Sequence, residues 1–306
     1  MKKKKLNTLI VLALLAVSFI GLELPASAQS AMSLNGRTVR TDTRIEYHGG
    51  PLVTSTADVY FVWYGCWDST CGAGGDPVTQ SLVEDFTSSI GGSPYLQILS
   101  TYPDCCGHGP TGALLFAGSV YDHYSRGTDL TATDIAGIIA DLITNNVLPQ
   151  DPGGIYVLIA SADVHSPSTG FCVAGARPHH GIGMALGSQF RYAFLGNPMQ
   201  CPSVAAPQFF SGSTQLPTPN GNFAADVMAT TLANVLSSTI TNPYGNGWYD
   251  RYGLTNSDKC EGEFGQTYSS ANGARANLKV GGRDYLIQYN WVNFRKGRCA
   301  INQSEF

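Results

Sequence analysis

"ADVYFVWYG" (Ala57–Gly65) is the stretch whose reading decides the fold. Aromatic and β-branched residues fill it without polar alternation, and a glycine stops it. A short continuous apolar run of that kind reads as a strand buried on both faces. Working outward, "PVTQSLVEDFTSSI" (77–90) places Val78, Leu82, Val83, Phe86 and Ile90 at helical spacing. "GALLFAGSV" (112–120) follows as a second strand. "DLTATDIAGIIADLITNN" (129–146) is a second helix carrying Ile135, Ile138, Ile139, Leu142 and Ile143, capped by Thr131 or Thr133. "GGIYVLIAS" (153–161) is a third strand. Strand, helix, strand, helix, strand predicts an α/β layer with a partly parallel sheet.

Beyond residue 161 the pattern changes. "HHGIGMALGSQFRYAFLGNPMQCP" (179–202) is Gly-rich with short apolar pieces, which suits strands and loops crossing a site. Its "GIGMALG" has neither the spacing nor the helix start of a dinucleotide fingerprint. A helix is predicted from near Phe223 up to the Asn242-Pro243 stop, and "LANVLSSTIT" within it bears no charge. The last segment, "GRDYLIQYNWVNFRKGRC" (282–299), is expected as a closing strand and edge.

At the N-terminus four lysines, an apolar run over about 9–22 and Ala26-Ser27-Ala28 have the layout of a signal peptide cleaved after Ala28. No later segment is expected to span a bilayer. Residues 29–44 lack periodicity and read as a mobile arm, with one domain over 45–306. Cleavage removes four of the 18 basic residues and one of the 22 acidic ones, leaving 14 against 21 and a net charge of −7. Such a chain has no electrostatic footprint for nucleic acid. The four-lysine leader fits a bacterial source at least as well as a eukaryotic one, so Asn302-Gln303-Ser304 is a glycosylation sequon only in a eukaryotic secretory route.

All eight cysteines (Cys66, Cys71, Cys105, Cys106, Cys172, Cys201, Cys260, Cys299) lie beyond the leader. An even count in an exported chain points to disulfides, and no paired C-x-x-C knuckles suggest zinc. Cys105-Cys106-Gly107-His108 sets a thiol near an imidazole, but an oxidising compartment favours pairing over a catalytic thiol.

The ordered pieces "EYHGGPLVTSTADVYFVWYGCW", "LLFAGSVYDHYSRGTDLTATDI", "GGIYVLIASADV", "GFCVAG", "YAFLGNPMQCP", "TNPYGNGWYD", "SDKCEGEFG" and "GRDYLIQYNWVNFRKGRC" resemble the EXORDIUM, or phosphate-induced protein 1, family of plant cell-wall proteins and their bacterial relatives. They run from Glu46 to Cys299, nearly the whole chain past the leader. The resemblance implies an extracellular, wall-associated protein linked in plants to growth and nutrient status. It also implies an α/β domain with a mixed central sheet flanked by helices, zincin-like and stabilised by disulfides.

Family members often carry His-Glu-x-x-Glu on the helix before the Asn-Pro turn, with a further Glu shortly before an Asp-x-Cys. Residues four apart share a helical face, so such a His and Glu can grip one metal ion. Aligned on "TNP", those positions are Asn234, Val235 and Ser238 here, and the later Glu falls on Thr255; Asp258 and Cys260 are retained. An amide and a hydroxyl are no comparable ligands for zinc, and Val235 cannot accept a proton. The expected reading is therefore a pocket around Asn234, Ser238, Thr255, Asp258, His179, Trp248 and Tyr249, with no metal, no cofactor and no catalytic residue.

The same comparison bears on the cysteines. Plant members tend to have a Cys at the positions of Ala176 and Ala205, and the joint absence implies that Cys172 pairs with Cys201 here. Cys260 with Cys299 follows, while vicinal Cys105 and Cys106 are expected to link to Cys66 and Cys71, since bridging neighbours is strained.

His179 matches a His common in the family, and hydrogen bonding is the favoured role for it and His180. Asp250, Asp258, Glu261 and Glu263 could supply a carboxylate pair, although solvation or loop capping suits them better. Trp63, Tyr64, Trp67, Trp248, Tyr249, Tyr289 and Trp291 are each read first as core, and their exposed faces as sugar or protein contacts. The function expected is non-catalytic binding or signalling at a cell envelope or wall, with a glycan or protein as partner. Its rivals are a secreted hydrolase, peptidase or glycosidase, built on His179, Asp258 and Glu261, and a purely structural envelope component.

Overall fold

The computed structural model describes residues 44–70 and 75–303, together with the backbone pairs at 33–34 and 37–38. The signal peptide expected at 1–28, Cys71 and Ser304 lie outside the described residues. In the expected arm, Ser33–Leu34 and Arg37–Thr38 pair antiparallel. Residues 40–306 form one unit.

Its centre is a five-stranded sheet. Strands β1 (Ala57–Tyr64), β2 (Leu114–Asp122), β3 (Gly154–Ala160), β4 (His179–Ala185) and β5 (Ser188–Leu195) lie in the order β2-β1-β3-β5-β4. The first four in that order are parallel, and β4 runs antiparallel to β5 at the edge. β1 and β3 are central, which is why their sequences are apolar on both faces. Val59, Phe61 and Trp63 of β1 join one core, and Val62 and Tyr64 the other. "GIGMALG" belongs to the β4–β5 hairpin, turned by Leu186 (φ 49) and Gly187 (φ 77), the left-handed pair that a two-residue hairpin turn demands.

Helices cover both faces. Helix α1 (Pro77–Ile90) begins at Asp76, whose side chain accepts from the Thr79 N–H, and buries Leu82, Val83, Phe86 and Ile90. Val78, counted with that stripe in the sequence, points to solvent instead. Helix α2 (Ala132–Thr144) is capped by Thr131 in a reciprocal capping box with Asp134, and packs Ile135, Ile138, Ile139 and Ile143 on the second face. Helix α3 (Phe223–Thr241) lies with α1 on the first face and is buried nearly all round. By length and composition α3 could cross a bilayer, contrary to the expectation that no later segment comes close; 94% of its apolar window is buried in the fold.

The C-terminal segment departs from the predicted closing strand. It makes two small antiparallel pairs, Leu278–Val280 with Arg283–Tyr285 and Asn290–Val292 with Arg298–Ala300, neither joined to the main sheet. Gly281 and Gly282 both take positive φ (57° and 78°), which folds the chain back before a strand can lengthen.

Two disulfides fasten the loops. Cys172–Cys201 ties the loop before β4 to the segment after β5, and Cys260–Cys299 ties the loop after α3 to the last hairpin. Closing loops of 29 and 39 residues stabilises a chain by about 3–4 kcal/mol each.

The expected links from Cys66 to Cys105 and Cys106 do not fit. Cys66 follows the C-terminal end of β1, its N–H donating to Ser161 Oγ at 3.1 Å. Cys105 and Cys106 sit at the other end of the sheet, beside Tyr47 and the turn whose Pro103 carbonyl accepts from Trp248. An eight-residue strand spans about 26 Å, and bridged Cα atoms lie within about 7 Å. The Cys105 and Cys106 sulfurs instead face each other at 3.2 Å.

Candidate functional site

Asn222 caps α3 through the Ala225 N–H, and Asn242 ends it, its own N–H donating to the Ser238 carbonyl. Between them Asn234, Ser238 and Asn242 recur every four residues and share one face. Val235 turns away and is 1% exposed within the main core. A Glu there would bury a carboxylate in that hydrophobic core.

The loop after α3 closes over that face. Ser238 Oγ lies 2.7 Å from Thr255 Oγ1 and 2.6 Å from Ser257 Oγ. The Thr255 N–H and hydroxyl both donate to Asp258 Oδ2 at 2.8 Å. The Tyr95 hydroxyl donates to Asn234 Oδ1 at 3.5 Å. Thus Ser238, Thr255 and Asp258 converge as the sequence suggested, but as a chain of hydroxyls ending on one carboxylate. Ser238 and Thr255 are 4% exposed, so each hydroxyl must find its partners inside the protein, and each does.

In front of this network lies a cleft of ≈ 220 Å³ lined by Asn234, Asp258, Glu261, His179 and the apolar Phe194 and Phe264. Cys172, held by its bridge to Cys201, forms part of its wall. Arg177 Nε stands 3.8 Å from Asp258 Oδ1. Glu261 is at the rim; loss of water on its cleft side raises its pKa above the usual carboxylate range, and the Asp258 charge adds to this.

The two histidines divide between the faces of the sheet, because neighbours on a strand point opposite ways. His179 Nε2 meets the Tyr192 hydroxyl at 3.3 Å on the α2 side. His180 is the imidazole that faces Asp258 and the Asn242 carbonyl. Burial lowers the His180 pKa and those two neighbours oppose the shift, while burial lowers that of His179 with His180 adding to it. His179, to which the resemblance pointed, lines the cleft with Asn234 and Asp258, and His180 adds a second imidazole that feels the Asp258 charge.

Trp248 and Tyr249, expected in the same pocket, are elsewhere. They pair with Tyr47 and Glu46, and the Trp248 Nε1–H donates to the Pro103 carbonyl at 3.1 Å. Trp63, Tyr64 and Trp67 are core residues, at most 1% exposed.

Asp250 is no surface carboxylate. Its side chain is 0% exposed and 3.4 Å from the Nζ of Lys259, itself 1% exposed. Oδ1 caps the loop by accepting from the Tyr252 and Leu254 N–H groups. Lys259 also sits 5.1 Å over the Trp291 ring. Sequence reasoning missed this pair, for which Lys259 beside Cys260 was the available signal.

Among the described residues no three His, Cys, Asp or Glu side chains group as a metal ion would require. Where the resemblance would put ligands on α3 stand a serine and an asparagine, and Asp258, Glu261, His179 and His180 around the cleft do not group three about one point. That donor set does not fit zinc.

No solved structure matches this chain. Among curated proteins it is 29% identical to Protein EXORDIUM-like 3 of Arabidopsis thaliana over 294 residues, covering 85% of this chain and 84% of that one. It is 30% identical to Protein EXORDIUM-like 5 of the same plant over 281 residues, covering 81% and 75%. Protein PHOSPHATE-INDUCED 1 of Nicotiana tabacum is 25% identical over 226 residues, 67% of each chain. The conserved region of phosphate-induced protein 1 matches residues 45–299, from the strand before the sheet to the last disulfide cysteine, and the chain belongs to the phosphate-induced protein 1 family, whose named relatives are the EXORDIUM proteins.

Proposed function

We propose that this protein is exported and acts by binding, without metal-dependent catalysis, at a cell envelope or wall, on a zincin-like scaffold whose metal-binding face has become a structural network. The observation that carries the reading is the closed hydroxyl chain Ser238–Thr255–Asp258, backed by Val235 in the core. A general base and two or three strong ligands are the minimum for zinc hydrolysis. Here the base position is aliphatic and the ligand positions are occupied by groups already bonded to one another. The sheet order with its antiparallel edge strand, and the long helix after it, support the zincin-like layout. Two disulfides and the EXORDIUM relatives support an extracellular setting.

The test pairs binding with turnover. Purified protein is screened against wall polysaccharides and envelope proteins, and against peptide and glycoside substrates. Saturable binding without turnover is expected; turnover abolished by Asp258→Asn overturns the reading.

One observation favours a second reading, a glycosidase. Glu261, whose pKa burial raises, lines the cleft together with Asp258, whose Oδ2 accepts from Thr255 and whose Oδ1 faces Arg177, and two carboxyl groups in one cleft are what glycoside hydrolysis uses. That enzyme loses turnover on Glu261→Gln.

A further inference from the structure

At the end of the sheet remote from Cys66 there is a second concavity of ≈ 360 Å³, formed where the pair Glu46–Tyr47 with Trp248–Tyr249 meets the turn that follows Trp291. Its aromatic floor is Tyr47, Trp248 and Trp291. Arg44, Arg295 and Lys296, all exposed, stand around it, with Glu46 the one carboxylate among the described lining residues and Asp104 near enough to act on Tyr47. Three cations against two acids is a local reversal of sign on a chain whose formal net charge is −4.

Trp291 is 6% exposed, and its indole Nε1–H, buried and without a hydrogen-bond partner among the described residues, lies beneath the floor of the concavity. Gly297, also lining the concavity, takes a left-handed φ of +69°. A Cβ there would meet the indole Cζ2 at 2.2 Å and Nε1 at 2.7 Å. The absent side chain is what lets the Gly297 backbone close over that edge of the indole and shape the concavity above it. Lys259 lies over the same ring, but Asp250 offsets its charge.

We propose that this concavity binds an acidic sugar, a uronate unit of a polysaccharide, with the carboxylate held by Arg295 and Lys296 and the ring laid on Trp248 and Tyr47. Each feature answers to one part of that ligand. The exposed cations suit an anion with acceptor oxygens; the half-buried aromatics suit an apolar ring face. A small inorganic anion would use the first set and leave the second idle. The site is separate from the cleft in front of α3 and shares no lining residue with it. The proposal rests on the envelope-binding reading only for where the sugar comes from.

The test is calorimetric titration of the purified chain with a galacturonate trimer, a neutral galactose trimer and inorganic phosphate. Saturable binding of the uronate trimer is expected, about tenfold tighter than the neutral trimer and weakened by salt. Trp248→Leu, which removes an aromatic face and keeps an apolar side chain, weakens it about tenfold. Because that side chain is half-buried, the exposed double variant Arg295→Glu with Lys296→Glu is the second arm, and it abolishes binding without unfolding the chain. Equal affinity for the neutral trimer, phosphate binding as tightly as the uronate, no saturation at millimolar ligand, or indifference to both variants each overturn the proposal. Turnover or zinc at the α3 face sinks the non-catalytic reading and leaves this result untouched; loss of uronate binding alone, with other wall polymers still bound, sinks this inference and spares that reading.

Discussion

Two polar regions of this molecule behave in opposite ways. On the α3 face, Ser238, Thr255, Ser257 and Asp258 bond to one another in a closed chain. Beside the last hairpin, exposed Arg44, Arg295 and Lys296 stand around a floor of Tyr47, Trp248 and Trp291 and face solvent. The first region is where the family resemblance directs attention, and the second carries no motif. The contrast teaches that inherited position and available chemistry are different things: a closed network holds the fold, and groups left open to solvent can meet a ligand.

The contrast can be broken by measuring what each region costs when disturbed. The largest effect is expected between the two regions, where Asp250→Ala removes a fully buried carboxylate that meets Lys259 and caps the Tyr252 and Leu254 N–H groups. Denaturant unfolding should show a loss of about 3–5 kcal/mol, as for other broken buried pairs. Ser238→Ala leaves the Thr255 and Ser257 hydroxyls short of a partner and should cost about 1–3 kcal/mol by the same measurement. In the open region the exposed double variant Arg295→Ala with Lys296→Ala should change stability by no more than about 0.5 kcal/mol, its effect being confined to the ligand. A stability loss there as large as at Ser238 would erase the distinction.

Acid offers a finer test. The folded-state pKa values of His179 and His180 are depressed, so the unfolded chain binds more protons once the pH falls to the ordinary histidine range near 6.5. Stability from these rings is complete above that range and declines as the pH drops through it toward the folded-state values. Glu261 has the opposite sign: its raised pKa means that stability falls as pH rises from the ordinary glutamate value through the folded one. His180→Asn should flatten the histidine limb of a stability-against-pH curve, and an unchanged limb would remove His180 from its buried place beside Asp258.

The sheet and its helices were legible because their signals are local. The unbroken apolar run of β1 and the Thr131 cap each speak for their own element, and both read correctly. The pairings Cys172–Cys201 and Cys260–Cys299 came from the resemblance, through absent cysteines, and both bridges are present. What stayed hidden depends on three-dimensional neighbours. The place of His180 beside Asp258 turns on a one-residue register that periodicity cannot supply in a Gly-rich strand. The link from Cys66 to Cys105 and Cys106 failed because proximity in composition says nothing about opposite ends of a sheet. Trp291 read as one core aromatic among seven, since a missing hydrogen bond leaves no trace in sequence.

The central claim, that the α3 face is a closed structural network and no longer a metal site, meets its most direct test in equilibrium dialysis of the purified chain against zinc. The account predicts no stoichiometric zinc at micromolar metal, and no change on Asp258→Asn or His180→Ala. One zinc per chain, lost in either variant, would contradict it.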